Sequence, residues 1–330
     1  MSKISLNDVR TLNSALVRDR PLVAVFFGGT GGISRATLRE LAKAEAKTGR
    51  SLRAYIIARN VKAGDDLLQE CREIHPDGQF RFIKAENLSL LQDIDRICAV
   101  LTQMEEKAGG TDARIDYLMM SQGGSFFNPR IGKSHLQLQT HVMGMLTEAE
   151  SDTPEGIDQA MSLLYYSRMK AIINLLPLLI KSNLPASIVS VYAAGWEAKF
   201  FPDDLSLRQP TRFTYPLARS HMVHMYTLCF EALAAQHAGK LRLAHVFPGL
   251  VLGPAFQNPE LPAWFRLTMR VLGPIFGPLV SVPPEECGER SKQFQGAFYC
   301  PFGMVVEDKD ERLRPRPEIR PFSNPVSKKR

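Results

Sequence analysis

The 330-residue chain has little of what would place it in a special class. Its five cysteines, Cys71, Cys98, Cys229, Cys287 and Cys300, are scattered without CxxC spacing, so neither a zinc site nor a disulfide framework is expected. The apolar segment "LPAWFRLTMRVLGPIFGPLVSVPP" is broken by Arg266, Arg270 and several prolines, and so does not read as a membrane span. The stretch before the first apolar strand lacks the continuous apolar core and small-residue cleavage pattern of a secretory signal, which makes the cytoplasm the expected compartment. Charge is also scarce in the body. Of the net +7, residues 312 to 330 hold seven Lys or Arg against one Glu, which leaves the remainder near neutral and gives no basis for nucleic-acid binding. That Pro-rich tail is expected to be solvated and mobile, with a weak acidic-membrane or partner contact as the alternative.

What is present is a regular alternation. Short β-branched or aromatic runs, "VAVFFGG", "LRAYIIAR", "FRFIKAE", "DYLMMSQGG", "ASIVSVYAAG" and "LRLAHVFPG", are separated by helical patterns. Six strands with crossover helices predict an α/β, doubly wound parallel sheet, the Rossmann fold. One domain over 1–311 is expected, with a lid-like insertion at about 255–285 and the tail at 312–330. Gly49 marks the end of the first helix, Ser89 and Gln92 have capping-box spacing, and Thr153 followed by Pro154 reads as a helix start.

The stretch "VFFGGTGGISRATL" puts Gly28, Gly29, Gly31 and Gly32 between a strand and a helix. Backbone N–H groups can approach a pyrophosphate there, at the positive end of the helix dipole, and Thr30 can add a hydroxyl. The second strand ends in Ala58, Arg59 and Asn60, with no acid for the ribose hydroxyls. A cation at that point favours a 2′-phosphate, hence NADP(H).

From about residue 20 to 255 the sequence resembles the short-chain dehydrogenase/reductase superfamily. The patterns "RATLRELA", "YYSRMK", "ARSHM" and "FPGLV" look like a fungal branch found in secondary-metabolite gene clusters. The resemblance implies a cofactor site at Gly28, Gly32 and Ile33, with Ser34 in place of the last glycine. It puts Asn87 at the adenine-contacting position and Ser121, Gln122 and Gly123 at the usual Asn-Ala-Gly turn. The proline-glycine pair is present as Pro248 and Gly249, but Gly253 replaces the following threonine.

The segment "YYSRMK" contains a literal YxxxK in Tyr166 and Lys170, yet it precedes the fifth strand. In the resembled family the catalytic tyrosine follows that strand. Counting back from Pro248 selects Tyr215, 33 residues earlier, and not Tyr166, 82 residues earlier. The lysine position then falls on Arg219, which keeps a charge and donors but cannot lose a proton. The substrate-polarising serine aligns with Ala193; Ser190 is expected to point to the other face. Tyr192, Tyr215 and Arg219 form a substitute donor set, with aromatic packing as the competing role for Tyr192. Tyr166 falls on a helical stripe with Leu163, Met169 and Ile173, and Tyr165, Tyr166 or Ser167 can border the cofactor.

His221 and His224 have HxxH spacing without a third ligand nearby, so no metal is expected. The segment after the sixth strand reads first as a lid over a lipophilic substrate, with peripheral membrane contact or a dimer surface as alternatives. The expected activity is NADP-dependent interconversion of a ketone and a secondary alcohol on a bulky apolar metabolite. A redox-neutral isomerase, epimerase or cyclase and a non-catalytic NADP-binding protein remain as alternatives.

Overall fold

The structure, a computed structural model, describes residues 22–123, 152–212, 215–248, 251, 267, 270–271, 282–291, 298–300 and 304–306. The expected lid lies largely outside the described residues, and the tail entirely so.

All six expected strands form: β1 Leu22–Phe27, β2 Leu52–Ala58, β3 Gln79–Lys84, β4 Tyr117–Met120, β5 Ala186–Val191 and β6 Leu241–Val246. Two short strands extend the sheet, β7 Phe298–Cys300 and β8 Met304–Val306. The order is β3-β2-β1-β4-β5-β6-β7-β8, parallel except for β8 against β7. β1 is buried along its whole length because helices cover both faces of the sheet, which is why "LVAVFF" is uniformly apolar. Alternate side chains enter opposite cores: Phe26 packs with Leu38, Leu41 and Leu67, and Phe27 with Ile94, Leu101 and Ile172. Each such fully buried side chain contributes about 1.5–3 kcal/mol of transfer free energy.

The helices are α1 Gly32–Thr48, α2 Val61–Ile74, α3 Leu91–Gly109, α4 Ser167–Leu179, α5 Tyr215–Gln236 and α6 Pro284–Ser291. α6 approaches α1 closely, since a Cβ on Gly288 would lie 2.7 Å from the Ala36 carbonyl carbon. The Tyr117 hydroxyl, in β4, donates to the Ser291 carbonyl at 2.7 Å.

Two helix starts differ from expectation. No capping box opens α3; Ser89 instead donates to Asn87 Oδ1, and the Glu155 carboxylate accepts from the N–H groups of Leu91 and Gln92 at 2.7 and 2.8 Å. A carboxylate at a helix N-terminus does the same work from 63 residues away in sequence, where local spacing could not reveal it. The segment leading to α4 starts with Asp158, whose Oδ1 accepts from Met161 N–H at 2.8 Å, while Thr153 lies in the preceding turn. A helical turn at Gln159–Met161, a π-helical segment at Ser162–Tyr166 and α4 then run into one another. The extra residue in the π turn shifts the helical phase. The expected stripe also fails within the regular helix α4, where Met169 is buried but Ile173 is 58% exposed.

Candidate active site at the carboxyl ends of β1, β4, β5 and β6

The chain order reverses at β1, whose neighbours are β2 and β4. This is the crevice where a doubly wound sheet binds its ligand. Gly28 follows β1 with φ +78°, and a Cβ there would lie 2.6 Å from the Gln122 nitrogen. Gly31 and Gly32 have open space where a side chain would stand, and the first turn of α1 carries no acidic residue. The Gly28 and Gly29 N–H groups donate to the Ile57 carbonyl at 2.9 and 3.3 Å, so the open part of the loop is Gly31 and Gly32 at the positive helix end, which suits an anionic pyrophosphate. Thr30 and Ile33 flank it, both partly buried. Two departures from the family pattern meet beside the loop: the Ser34 and Ser121 hydroxyls are 2.6 Å apart, and Ser121 Oγ also donates to the Gly28 carbonyl at 3.4 Å.

The next two strand ends are less simple. Arg59 is exposed directly after β2, open to a ligand. Asn60 uses its side chain to cap α2, accepting from Ala63 N–H at 3.0 Å. Asn87 Oδ1 accepts from the N–H and the hydroxyl of Ser89, which closes a local turn. Their side-chain oxygens are thus engaged in shaping loops, as is common for asparagine at turns.

The YxxxK letters do not make a chemical pair. Lys170 bridges to Asp95 of α3 at 3.1 Å, and the Tyr166 hydroxyl donates to the Leu205 carbonyl at 3.5 Å. Between them, Arg168 is 1% exposed. Its guanidinium donates to Ser190 Oγ and the Val191 carbonyl, both at 2.9 Å, and to the Gln122 carbonyl at 2.5 Å, with a longer contact to Met120. Sequence reasoning missed this residue. Its signal was a charge on the buried face of a helix with Leu164, Ala171, Ile172 and Leu175.

Ser190 does not point away from this region; it lies with Tyr192 on the face toward α4 and α5. Tyr192 is 8% exposed, its ring stacked on His245 at 6.1 Å and tilted against Tyr226 at 6.3 Å. The ring is turned into the core, so aromatic packing accounts for it. At Ala193 the missing serine is not replaced by a hydroxyl: the side chain is buried, and its N–H donates to His245 Nε2 at 3.2 Å. Burial, with the Arg168 charge as the smaller cause, pushes His245 down to about 3, so the ring is neutral.

Tyr215 opens α5, and Arg219 stands one turn later. The Arg219 guanidinium lies between two aromatic rings, 4.4 Å from the centre of Trp196 and 5.5 Å from that of Phe247. These rings meet edge-on at 6.0 Å. Trp196 lies in the connection after β5 and Phe247 directly follows β6, so the cation joins the segments that leave two neighbouring strands. Pro248 is partly buried next to this clamp, whereas Gly249 lies outside the described residues.

The HxxH pair fastens the connection after β5 to α5. His221 Nδ1 accepts from Phe201 N–H at 3.2 Å, and its Nε2 is 3.1 Å from the Leu205 carbonyl. His221 and His224 both stack on Phe200. Ser220 Oγ accepts from Ala198 N–H at 2.8 Å and donates to the Lys199 carbonyl. Among the described residues no cluster of His, Cys, Asp or Glu could hold a metal ion, and no helix is long and apolar enough to cross a membrane.

No family model matches the chain. It is 33% identical over 288 residues to "Short-chain dehydrogenase/reductase SAT2" of Stachybotrys chartarum, covering 86% of this chain and 75% of that protein. It is 34% identical over 288 residues to "Oxidoreductase AN1596" of Emericella nidulans, covering 87% and 75%. Among solved structures, L-sorbose reductase from Gluconobacter frateurii, complexed with NADPH and L-sorbose, aligns with a TM-score of 0.57 at 14% identity, over 87% of this chain and 98% of that one. The Pseudomonas aeruginosa RhlG/NADP complex aligns at 0.52 and 18%, over 86% and 95%. At such identities the structural likeness shows the fold.

Proposed function

Because the chain belongs to the short-chain dehydrogenase/reductase family, we propose that it is an NADP-dependent oxidoreductase interconverting a ketone and a secondary alcohol on a bulky apolar substrate. The observation that supports this reading is an open glycine loop at the switch point, together with the Arg219 guanidinium held between Trp196 and Phe247 one turn into the helix that Tyr215 begins. The folded body is read as one domain over residues 1–311.

In this reading Gly28, Thr30, Gly32 and Ile33 hold the pyrophosphate, and the Ser121–Gly123 turn and Pro248–Gly249 border the rest of the dinucleotide. Arg59 pairs with a 2′-phosphate, the reason for preferring NADP. The bound nicotinamide supplies or accepts hydride. Tyr215 donates the proton to the forming alkoxide, or accepts it in the reverse direction. Arg219, fixed between Trp196 and Phe247, donates to the nicotinamide ribose and favours the ionised form of Tyr215 through its charge. Since arginine keeps its proton, Tyr215 is recharged from water and not through this side chain. Tyr192 is left out of the donor set because its ring is packed in the core.

The redox-neutral alternative is favoured by one observation, the buried Ala193 where a polarising hydroxyl is customary. The two readings separate on substrate-dependent NADPH absorbance with a panel of lipophilic ketones. Substrate-dependent oxidation that disappears in Tyr215→Phe supports the reductase; turnover without an absorbance change supports the alternative; unchanged reductase turnover in Tyr215→Phe removes Tyr215 from its role.

A further inference from the structure

A buried cation without an acidic partner is costly, and its retention calls for a reason. Arg168 has no carboxylate among its hydrogen-bond partners in the described residues. It draws together backbone carbonyls from the ends of two adjacent parallel strands, Gln122 after β4 and Val191 at the end of β5, and secures Ser190 between them. One of these contacts falls on the Gln122 carbonyl. That residue abuts the glycine loop: the Gln122 nitrogen is the atom a Gly28 side chain would strike. The Gln122 side chain is itself 3% exposed, yet neither its amide oxygen nor its amide nitrogen has a partner among the described residues. Unpaired buried amides are rare, because each unmet polar atom costs free energy that a ligand could return.

We propose that Arg168 is a positioning residue of the dinucleotide site and that the Gln122 amide is the group it holds against the cofactor. The inference rests on the reading of the glycine loop as a dinucleotide site. Gln122 offers one acceptor and two donor hydrogens, which fits a neutral polar part of the dinucleotide such as a ribose hydroxyl or a carboxamide. Arg168 acts through Gln122 by fixing the backbone from which that amide projects. An arginine suits the task because its planar fork reaches several carbonyls at once, which a lysine cannot do.

Fluorescence titration of the full chain with NADPH tests this without reference to turnover. Gln122→Ala and Arg168→Met are each expected to weaken binding about tenfold, the effect of one hydrogen-bonding group. Arg168→Lys separates positioning from mere packing. An ammonium keeps the charge but cannot span the Gln122 and Val191 carbonyls at once, so this variant should also weaken NADPH binding about tenfold. Should Arg168→Met fail to fold, Gln122→Ala and Arg168→Lys still decide. No binding by the unaltered protein overturns the dinucleotide reading and the inference with it. Tight binding by the unaltered protein, matched by Gln122→Ala and by Arg168→Lys, overturns the inference alone.

Discussion

The two sides of the switch point solve the same problem with different materials. On the β1–β2–β3 side the site is built from backbone: a loop opened by Gly28, Gly31 and Gly32, a helix end free of acids, and one exposed cation, Arg59. On the β4–β5–β6 side it is built from side chains that are buried, charged or aromatic. Arg168 grips carbonyls, Arg219 is pressed between Trp196 and Phe247, and His245 is held neutral beneath Ala193. The first side tolerates few changes of shape because its function is absence of bulk. The second depends on charge: Arg168 is shielded from water, and Arg219 is held on aromatic faces at a partly exposed position.

The largest expected effect breaks the first side. Gly28→Val puts a branched side chain at φ +78° and into the Gln122 backbone, neither of which can yield. NADPH titration should show binding reduced beyond detection, with stability lower by about 1–3 kcal/mol in urea unfolding. Next is Tyr215→Phe, which should lower the maximal rate by about a hundredfold or more while NADPH still binds, as read from paired kinetics and titration.

A smaller loss is expected from Trp196→Ala. Removing one face of the Arg219 clamp should lower the maximal rate about tenfold, with Trp196→Phe restoring most of it, since stacking is worth about 0.5–2 kcal/mol. Loss of a purely structural contact would change stability and leave the rate untouched. Arg59→Ala should leave the maximal rate at saturating NADPH largely intact, the mildest effect on turnover, while weakening NADPH binding about tenfold and NADH hardly at all.

The pH response should be uneven as well. His245 has a folded value below its ordinary one, so the neutral form is favoured by folding. Its contribution to stability is complete above the ordinary value of 6.5 and is lost progressively as the pH falls toward about 3. His221 shifts in the same direction through burial. Thermal unfolding between about pH 7 and 4 should therefore show stability falling with acid, and His245→Gln should flatten part of that fall.

The backbone-built side was largely legible in the sequence, because glycines between a strand and a helix announce their own geometry. All six strands could be read from β-branched and apolar runs, since a sheet covered on both faces admits little else. The side-chain-built half was less so. Counting from Pro248 put Tyr215 and Arg219 after the fifth strand, where the helix α5 begins at Tyr215, but the aromatic clamp joins Trp196 and Phe247 across 51 residues, and spacing says nothing about that. Arg168 was hidden inside a motif whose letters pointed to Tyr166 and Lys170. The π turn before α4 altered the phase on which a stripe argument depends. Asn60 and Asn87 were expected at the cofactor, and their side chains serve a cap and a turn, uses that a family position does not reveal.

Every chemical claim for the second side presupposes that the first side is occupied by a nicotinamide dinucleotide. The most direct measurement is a parallel equilibrium titration of the unaltered full chain with NADPH and with NADH, followed by fluorescence. Saturable binding of NADPH, about tenfold or more tighter than NADH, is the predicted result, since one charge-assisted contact at Arg59 is worth about that much. Absence of saturable binding by either nucleotide would contradict it.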